Sequence, residues 1–405
     1  MVRLLAKKLD RFGVKSNNKP VEPLRWCRTN GRVRSPVSPP DLLHLRTLPA
    51  TFTQEFPAHA ALSPSMRPDI HQLILTLRRG KGTFVPIVEL GVHPKIKERF
   101  LGKPLSTLAD DVEFWHRAGY DYVKIQPIAD FNPGKIGLSE NLTFNDDGTL
   151  FRKWASEQKG VITSWEEFEQ YQFPHPEDFD YSRFEQVRSL LPAGMGVIGQ
   201  YGDIFTMTWE MMGFEQFSLA LFENPDLVRA LNNRIGQLVL SMFEYFAQSD
   251  VVDILWISDD IAYTNGLLVS PATLEEFFFP WLRKIGDLAR QAGKPLLYHT
   301  DGVLWDVFDT IIDCGVDAIH PLEPKAMALA EVKQKVGDRL CLVGHVDVDL
   351  LARGTPEQVR AQVRKNIEEA AGNGGYCVGS GNSVPEYVKY ENYLAMLDAA
   401  KEFGS

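Results

Sequence analysis

The chain has 405 residues, 44% of them hydrophobic and 24% charged, with a formal net charge of −10 at pH 7. The acidic balance argues against a phosphate-gripping nucleic-acid surface, and no apolar run reaches the ~18 residues of a membrane span. Four scattered cysteines (Cys27, Cys314, Cys341, Cys377) make no disulfide framework and suit a reducing, cytoplasmic setting.

Charge is uneven along the chain. Residues 1–65 carry eleven Lys or Arg against four Asp or Glu, a net of +7 that leaves −17 for the remainder. This stretch is rich in Pro, Arg and Ser and has no sustained period. It reads as a disordered tail, or as translated upstream sequence with the true start at Met66; a transit peptide is the alternative. Residues 66–405 then read as one domain.

Residues 70–77 suit a short amphipathic helix. Residues 84–90 (Phe-Val-Pro-Ile-Val-Glu-Leu) form the first expected strand, with Glu89 near its tip. Helices are expected over 93–100 and 105–118, the second stopped by Gly119. Strand two, 120–126, alternates and ends at Gln126 before Pro127. Residues 128–180 break the rhythm: Asn-Asp-Asp-Gly at 145–148 is a hairpin signal, and Thr-Ser followed by Glu166 and Glu167 opens a helix over 163–171. The segment reads as an insertion in a strand-to-helix loop, where barrel enzymes vary their pocket walls.

Strand three (196–201) leads to Asp203 and to helices over 206–223 and 225–247. Strand four (253–258) ends at Asp259 and Asp260, followed by a helix over 271–292. Strand five lies within Pro-Leu-Leu-Tyr-His-Thr-Asp-Gly at 295–302 and delivers His299 and Asp301, two residues apart and so on one face. After a helix over 303–314 come strand six (318–322, ending at Glu323), strand seven (340–344, followed by His345, Asp347 and Asp349) and strand eight (375–379, ending near Ser380 and Asn382). A helix over 388–401 closes the chain. Eight strands, nearly all followed by helices, match an α/β fold of the (β/α)8 TIM-barrel type with an enlarged loop after strand two. A doubly wound open sheet is the runner-up, but no Gly-rich phosphate loop follows an early strand.

In a barrel all these strand ends share one mouth. Asp and Asn there also cap helices, so Asp347, Asp349 and Asn382 each have a structural reading. Taken together, so many carboxylates repel one another unless a cation or donor sits among them. His299 and Asp301 place an imidazole nitrogen and a carboxylate oxygen where they could hold a divalent metal, with His345 or Glu323 as a third ligand. Alternatively they bind a polar substrate or move protons. Trp209 and Tyr263 follow strand ends and could wall a flat ligand.

From Met66 onward the chain resembles the uroporphyrinogen decarboxylase superfamily, which includes the methylcobalamin:coenzyme M methyltransferases and other corrinoid-linked methyltransferases. The resemblance rests on Met212-Gly213-Phe214-Glu215, Glu223-Asn224-Pro225-Asp226, Asp259-Asp260, the 295–302 stretch, Leu322-Glu323, Gly354-Thr355-Pro356-Glu357 and Glu391-Asn392-Tyr393. It implies the same barrel. The decarboxylases' arginine motif after strand one is replaced here by Glu89-Leu90-Gly91-Val92-His93-Pro94, and their second-strand Asp by Gln126 or its neighbourhood. Their Tyr after strand three corresponds to Trp209 and their late His to Asn382. The methyltransferases' zinc set, His-x-Cys and a later Cys, corresponds to His299, Asp301 and Asn382, so the imidazole is kept and both thiolates are lost.

The resemblance therefore implies a corrinoid-linked methyltransferase acting on a small donor or acceptor. His299, Asp301, Glu323 and His345 would be catalytic, and Glu89, Gln126, Trp209, Asp259, Asp260, Tyr263 and Asn382 would bind substrate or cofactor. Zinc or another divalent metal would sit on His299 and Asp301. Methylcobalamin is the implied co-substrate, carried by a corrinoid protein, and a homodimer is expected. A decarboxylase or lyase on a less acidic substrate is the alternative, as is a non-catalytic binding barrel.

Overall fold

The computed structural model describes residues 68–129, 142–144, 150–152 and 160–405. The expected basic tail at 1–65 lies outside them. Seven parallel strands follow one another around a curled sheet in chain order: β1 (Tyr122–Ile125), β2 (Gly196–Gly202), β3 (Ile254–Ser258), β4 (Leu296–His299), β5 (Ala318–Leu322), β6 (Cys341–Val346) and β7 (Tyr376–Ser380). These runs are apolar at both faces and almost wholly buried, as strands covered outside by helices and packed inside must be. The register sets Ser258 beside His299, and His299 beside His320.

The expected first strand, 84–90, is present as a single parallel bridge, Ile87 to Val378, rather than as a regular strand. Pro86 has no N–H, so it only accepts, from Val378 N (2.9 Å), while Val88 N donates to Val378 O (2.8 Å). Side chains then take over the ladder. Ser380 N donates to the Glu89 carboxylate (2.6 Å), and toward β1 the Tyr122 hydroxyl both accepts from Glu89 N and donates to Glu89 O (2.8 Å each). Residues 86–89 thereby close the (β/α)8 barrel between β7 and β1.

The helices form where caps and periodicity say they should. Ile70–Leu77 is capped by Asp69; Leu108–Ala118 has a capping box from Thr107 and Asp110 and ends at Gly119 with φ 94°. Two expected helices are each split. The 206–223 run becomes Ile204–Met212 and Phe214–Glu223, broken at Gly213 (φ 78°). The 271–292 run becomes Pro271–Phe277 and Phe279–Ala292, because Pro280 cannot donate the next i→i−4 bond. Within the insertion, Leu142–Phe144 pairs antiparallel with Leu150–Arg152; the turn expected at 145–148 lies outside the described residues. No helix among the described residues is long and apolar enough to cross a membrane.

Candidate active site

The loops after β3 and β4 are tied into one floor by hydrogen bonds. Asp259 N donates to His299 O (2.9 Å), Ile261 N to the Thr300 hydroxyl (3.1 Å) and Thr300 N to His320 O (2.9 Å). Asp301 N donates to Asp260 Oδ1 (3.0 Å). A small hairpin, Ala262–Tyr263 with Gly266–Leu267, is tied to this floor where Val303 N donates to Tyr263 O (3.2 Å). Gly302 (φ 89°) lets the chain pass beneath it, since a Cβ there would meet the Tyr263 backbone at 2.4–2.6 Å.

On this floor Asp260, His299 and Asp301 each present one ligand-type atom, all within 4.8 Å of one another. His299 Nε2 is 3.9 Å from Asp260 Oδ1. Asn382, arriving after β7, donates its amide to both oxygens of Asp301 (2.9 and 2.8 Å). Burial first, then the charges of Asp260 and Glu323, push the Asp301 carboxyl up to about 8, against the pull of Asn382. Burial, reinforced by Asp203, raises Asp260 to about 6. Burial lowers His299 to about 4, so its ring is neutral at pH 7. Glu323 is also raised, by burial and then by Asp260 and Asp347, against the Gly302 N–H and Lys325. Three carboxylates and a neutral imidazole thus share a mouth that opposes full ionisation.

Other expected site residues have different surroundings. Glu89 is fully buried, accepting from Ser380 N and Oγ, and burial raises it to about 8. Asp259 is 1% exposed, and its oxygens accept from Phe205 N (2.6 Å) and Thr206 N (2.9 Å) at the start of Ile204–Met212. It caps that helix from outside. His345, with φ 74°, turns Nε2 to the Met327 carbonyl (3.1 Å), so Nε2 carries the proton. Gln126 donates to Gln200. Trp209 packs edge-on against Phe214 (5.6 Å), and Tyr263 is 49% exposed on the hairpin. The mouth therefore assembles His299, Asp301, Asp260, Glu323 and Asn382, whereas Glu89 and Asp259 serve backbone groups.

Sequence reasoning passed over His320, which is fully buried with Nδ1 2.8 Å from His299 Nδ1. It also passed over Lys124 on β1, whose charge helps lower His299, and the Gln200–Ser258 pair (2.7 Å). The available signal was polarity at inward-facing positions of otherwise apolar strands. An imidazole with two carboxylates, held by backbone and amide donors, is a donor set for a borderline or hard divalent cation. Such an ion would offset the burial, and the lesser charge repulsion, that raise Asp260 and Asp301. The residues fit a metal.

A family model described as uroporphyrinogen decarboxylase (URO-D) matches residues 156–403. A uroporphyrinogen decarboxylase of Psychromonas ingrahamii is 25% identical over 303 residues, covering 69% of this chain and 82% of that protein. One from Pseudomonas entomophila is 23% identical over 304 residues, covering 70% and 82%. Among solved structures, a methyltransferase from Methanosarcina mazei superposes with a TM-score of 0.60 at 15% identity, covering 82% of this chain and 98% of its own. That likeness shows the barrel.

Proposed function

This chain belongs to the uroporphyrinogen decarboxylase (URO-D) family, and from that premise we propose that it is a metal-assisted methyltransferase that moves a methyl group between a corrinoid and a small acceptor or donor. The observation carrying this reading is the Asp260–His299–Asp301 grouping, with Glu323 and Asn382 beside it and Lys124 as the cation whose charge reaches His299. A polycarboxylate porphyrinogen entering there would be repelled, whereas a cation-bound thiol or phenol would not.

His299 Nε2 and the oxygens of Asp260 and Asp301 would hold the ion, zinc or another divalent metal. Bound there, it supplies Lewis acidity that lowers the pKa of an acceptor's O–H or S–H. Asn382 steadies Asp301 through both oxygens. Glu323, made a stronger base by burial and then by the charge of Asp260, receives the acceptor's proton. The acceptor's heteroatom forms the new bond to the methyl carbon, and the carrier keeps the electron pair of the bond that breaks. Lys124 on β1 donates to Gln200 on β2 (3.4 Å), and its charge acts on His299.

Incubation of the zinc-loaded protein with methylcobalamin and a panel of thiols and phenols tests the proposal. Loss of the methyl–cobalt absorbance with at least one acceptor is expected; no demethylation with any, and no corrinoid binding, overturns it. The decarboxylase relatives favour a second reading, a decarboxylase, here on a less acidic substrate, which carbon dioxide release from candidate acids would reveal.

A further inference from the structure

The register of the barrel sets His320 on β5 directly beside His299 on β4. Their rings lie 5.0 Å apart at 32°, with Nδ1 facing Nδ1 at 2.8 Å. Neither ring is open to solvent at this contact: His320 is 0% and His299 6% exposed. His320 also meets the Trp256 ring edge-on at 5.1 Å, and its Nε2 has no hydrogen-bond partner among the described residues.

Two imidazoles facing through Nδ1 share one proton, because a hydrogen bond needs one donor and one acceptor. The consequence for His299 is specific. Its Nε2 offers a bare lone pair only when Nδ1 carries the ring proton, and that proton must then be donated to His320 Nδ1. A metal-bound histidine ordinarily donates its other N–H to a carboxylate or carbonyl, which fixes both ring angle and tautomer. Here a second, dry histidine occupies that place.

We propose that His320 is a positioning residue whose Nδ1 accepts the Nδ1–H of His299 and so holds His299 Nε2 toward Asp260 and Asp301 as a ligand. The proposal rests on the reading of His299 as a metal ligand. It deepens that reading by assigning a role to a group outside the ligand set. Because His320 Nδ1 then accepts, His320 carries its own proton on Nε2 when the site is loaded.

The test uses paired substitutions of opposite shape and chemistry. His320→Phe keeps a flat ring and removes the acceptor. His320→Asn is smaller, but its Oδ1 falls where His320 Nδ1 was and can still accept. Zinc affinity is measured by calorimetry on each folded variant. A positioning role predicts a loss of about 10–100-fold for His320→Phe and a change of only a few-fold for His320→Asn. A packing role predicts the reverse order, and wild-type affinity in His320→Phe overturns the proposal. If His320→Phe does not fold, His320→Leu serves as the same arm.

A second readout needs no metal. In protein labelled with nitrogen-15 histidine, one Nδ1-bound proton should be protected from exchange and should vanish in both His320→Phe and His299→Phe. It should persist in His320→Asn on His299. If no form binds zinc, the metal reading fails and this signal alone decides the contact; its absence from the wild type overturns the proposal.

Discussion

Two acidic side chains in this barrel, Glu89 and Asp301, are both pushed to about 8, for different reasons. Glu89 sits at the seam where residues 86–89 close the barrel, fully buried, and its oxygens are engaged by Ser380 N and Oγ. Burial alone raises it. Asp301 sits at the mouth, held by Asn382 and set against Asp260 and Glu323, and like charges add to burial. One is a latch that supplies the hydrogen bonds a proline-bearing strand cannot make. The other belongs to a cluster whose repulsion is relieved only by a proton or a cation. A raised carboxyl marks a ligand site only when its neighbours are other acids rather than backbone donors.

The largest effect expected is at the latch. Glu89→Ala leaves buried donors on Ser380 unpaired and opens a cavity, costing roughly 3 kcal/mol or more in urea unfolding. Glu89→Gln, which keeps an acceptor, should cost clearly less. Neither should alter zinc affinity in the protein that remains folded; if either does, the two regions are not separate.

At the mouth the effects should invert. Asp301→Asn is expected to weaken zinc binding about 100-fold, the scale of losing a ligand or its orienting shell. It should leave the metal-free protein about as stable as wild type near pH 7, where the Asp301 carboxyl is already largely protonated, and more stable above pH 8, where the wild-type side chain carries a charge set against Asp260 and Glu323. A large loss of stability would make Asp301 a second latch.

The pH dependence separates the two further. Both groups hold their protons more tightly folded than unfolded, so each contributes stability that is full below its ordinary pKa and is lost as pH rises through about 8. Stability of the metal-free protein should therefore decline between about pH 4 and 8. Glu89→Gln and Asp301→Asn should each flatten part of the decline. Saturating zinc should remove the Asp301 part and leave the Glu89 part, as read from denaturation midpoints across pH. The smallest effect is at Asn382: Asn382→Leu should weaken zinc by about 10-fold without moving the thermal midpoint much.

Much of the barrel was legible in the sequence. Short apolar runs bounded by Gly and Pro fell where β2 to β7 lie, since strands buried on both faces need unbroken hydrophobicity. The first strand was legible as position but not as pairing: nothing in Phe-Val-Pro-Ile-Val-Glu-Leu says that Glu89 and Tyr122 side chains replace the ladder. The mouth was legible in part. His299, Asp301, Asp260, Glu323 and Asn382 stand at strand ends, but strand ends also hold caps, and Asp259 beside Asp260 turned out to cap a helix. One residue of spacing reverses which way a side chain faces, and chain order cannot reveal which of two adjacent acids faces the cavity. His320 was hidden because its partner lies on the next strand, a contact that register creates.

The most direct measurement is zinc binding by calorimetry to wild-type protein and to Asp301→Asn, purified free of metal. One zinc per wild-type chain is expected, with an affinity about 100-fold lower in the variant. Absence of binding to the wild type, or equal affinity in both, would contradict it.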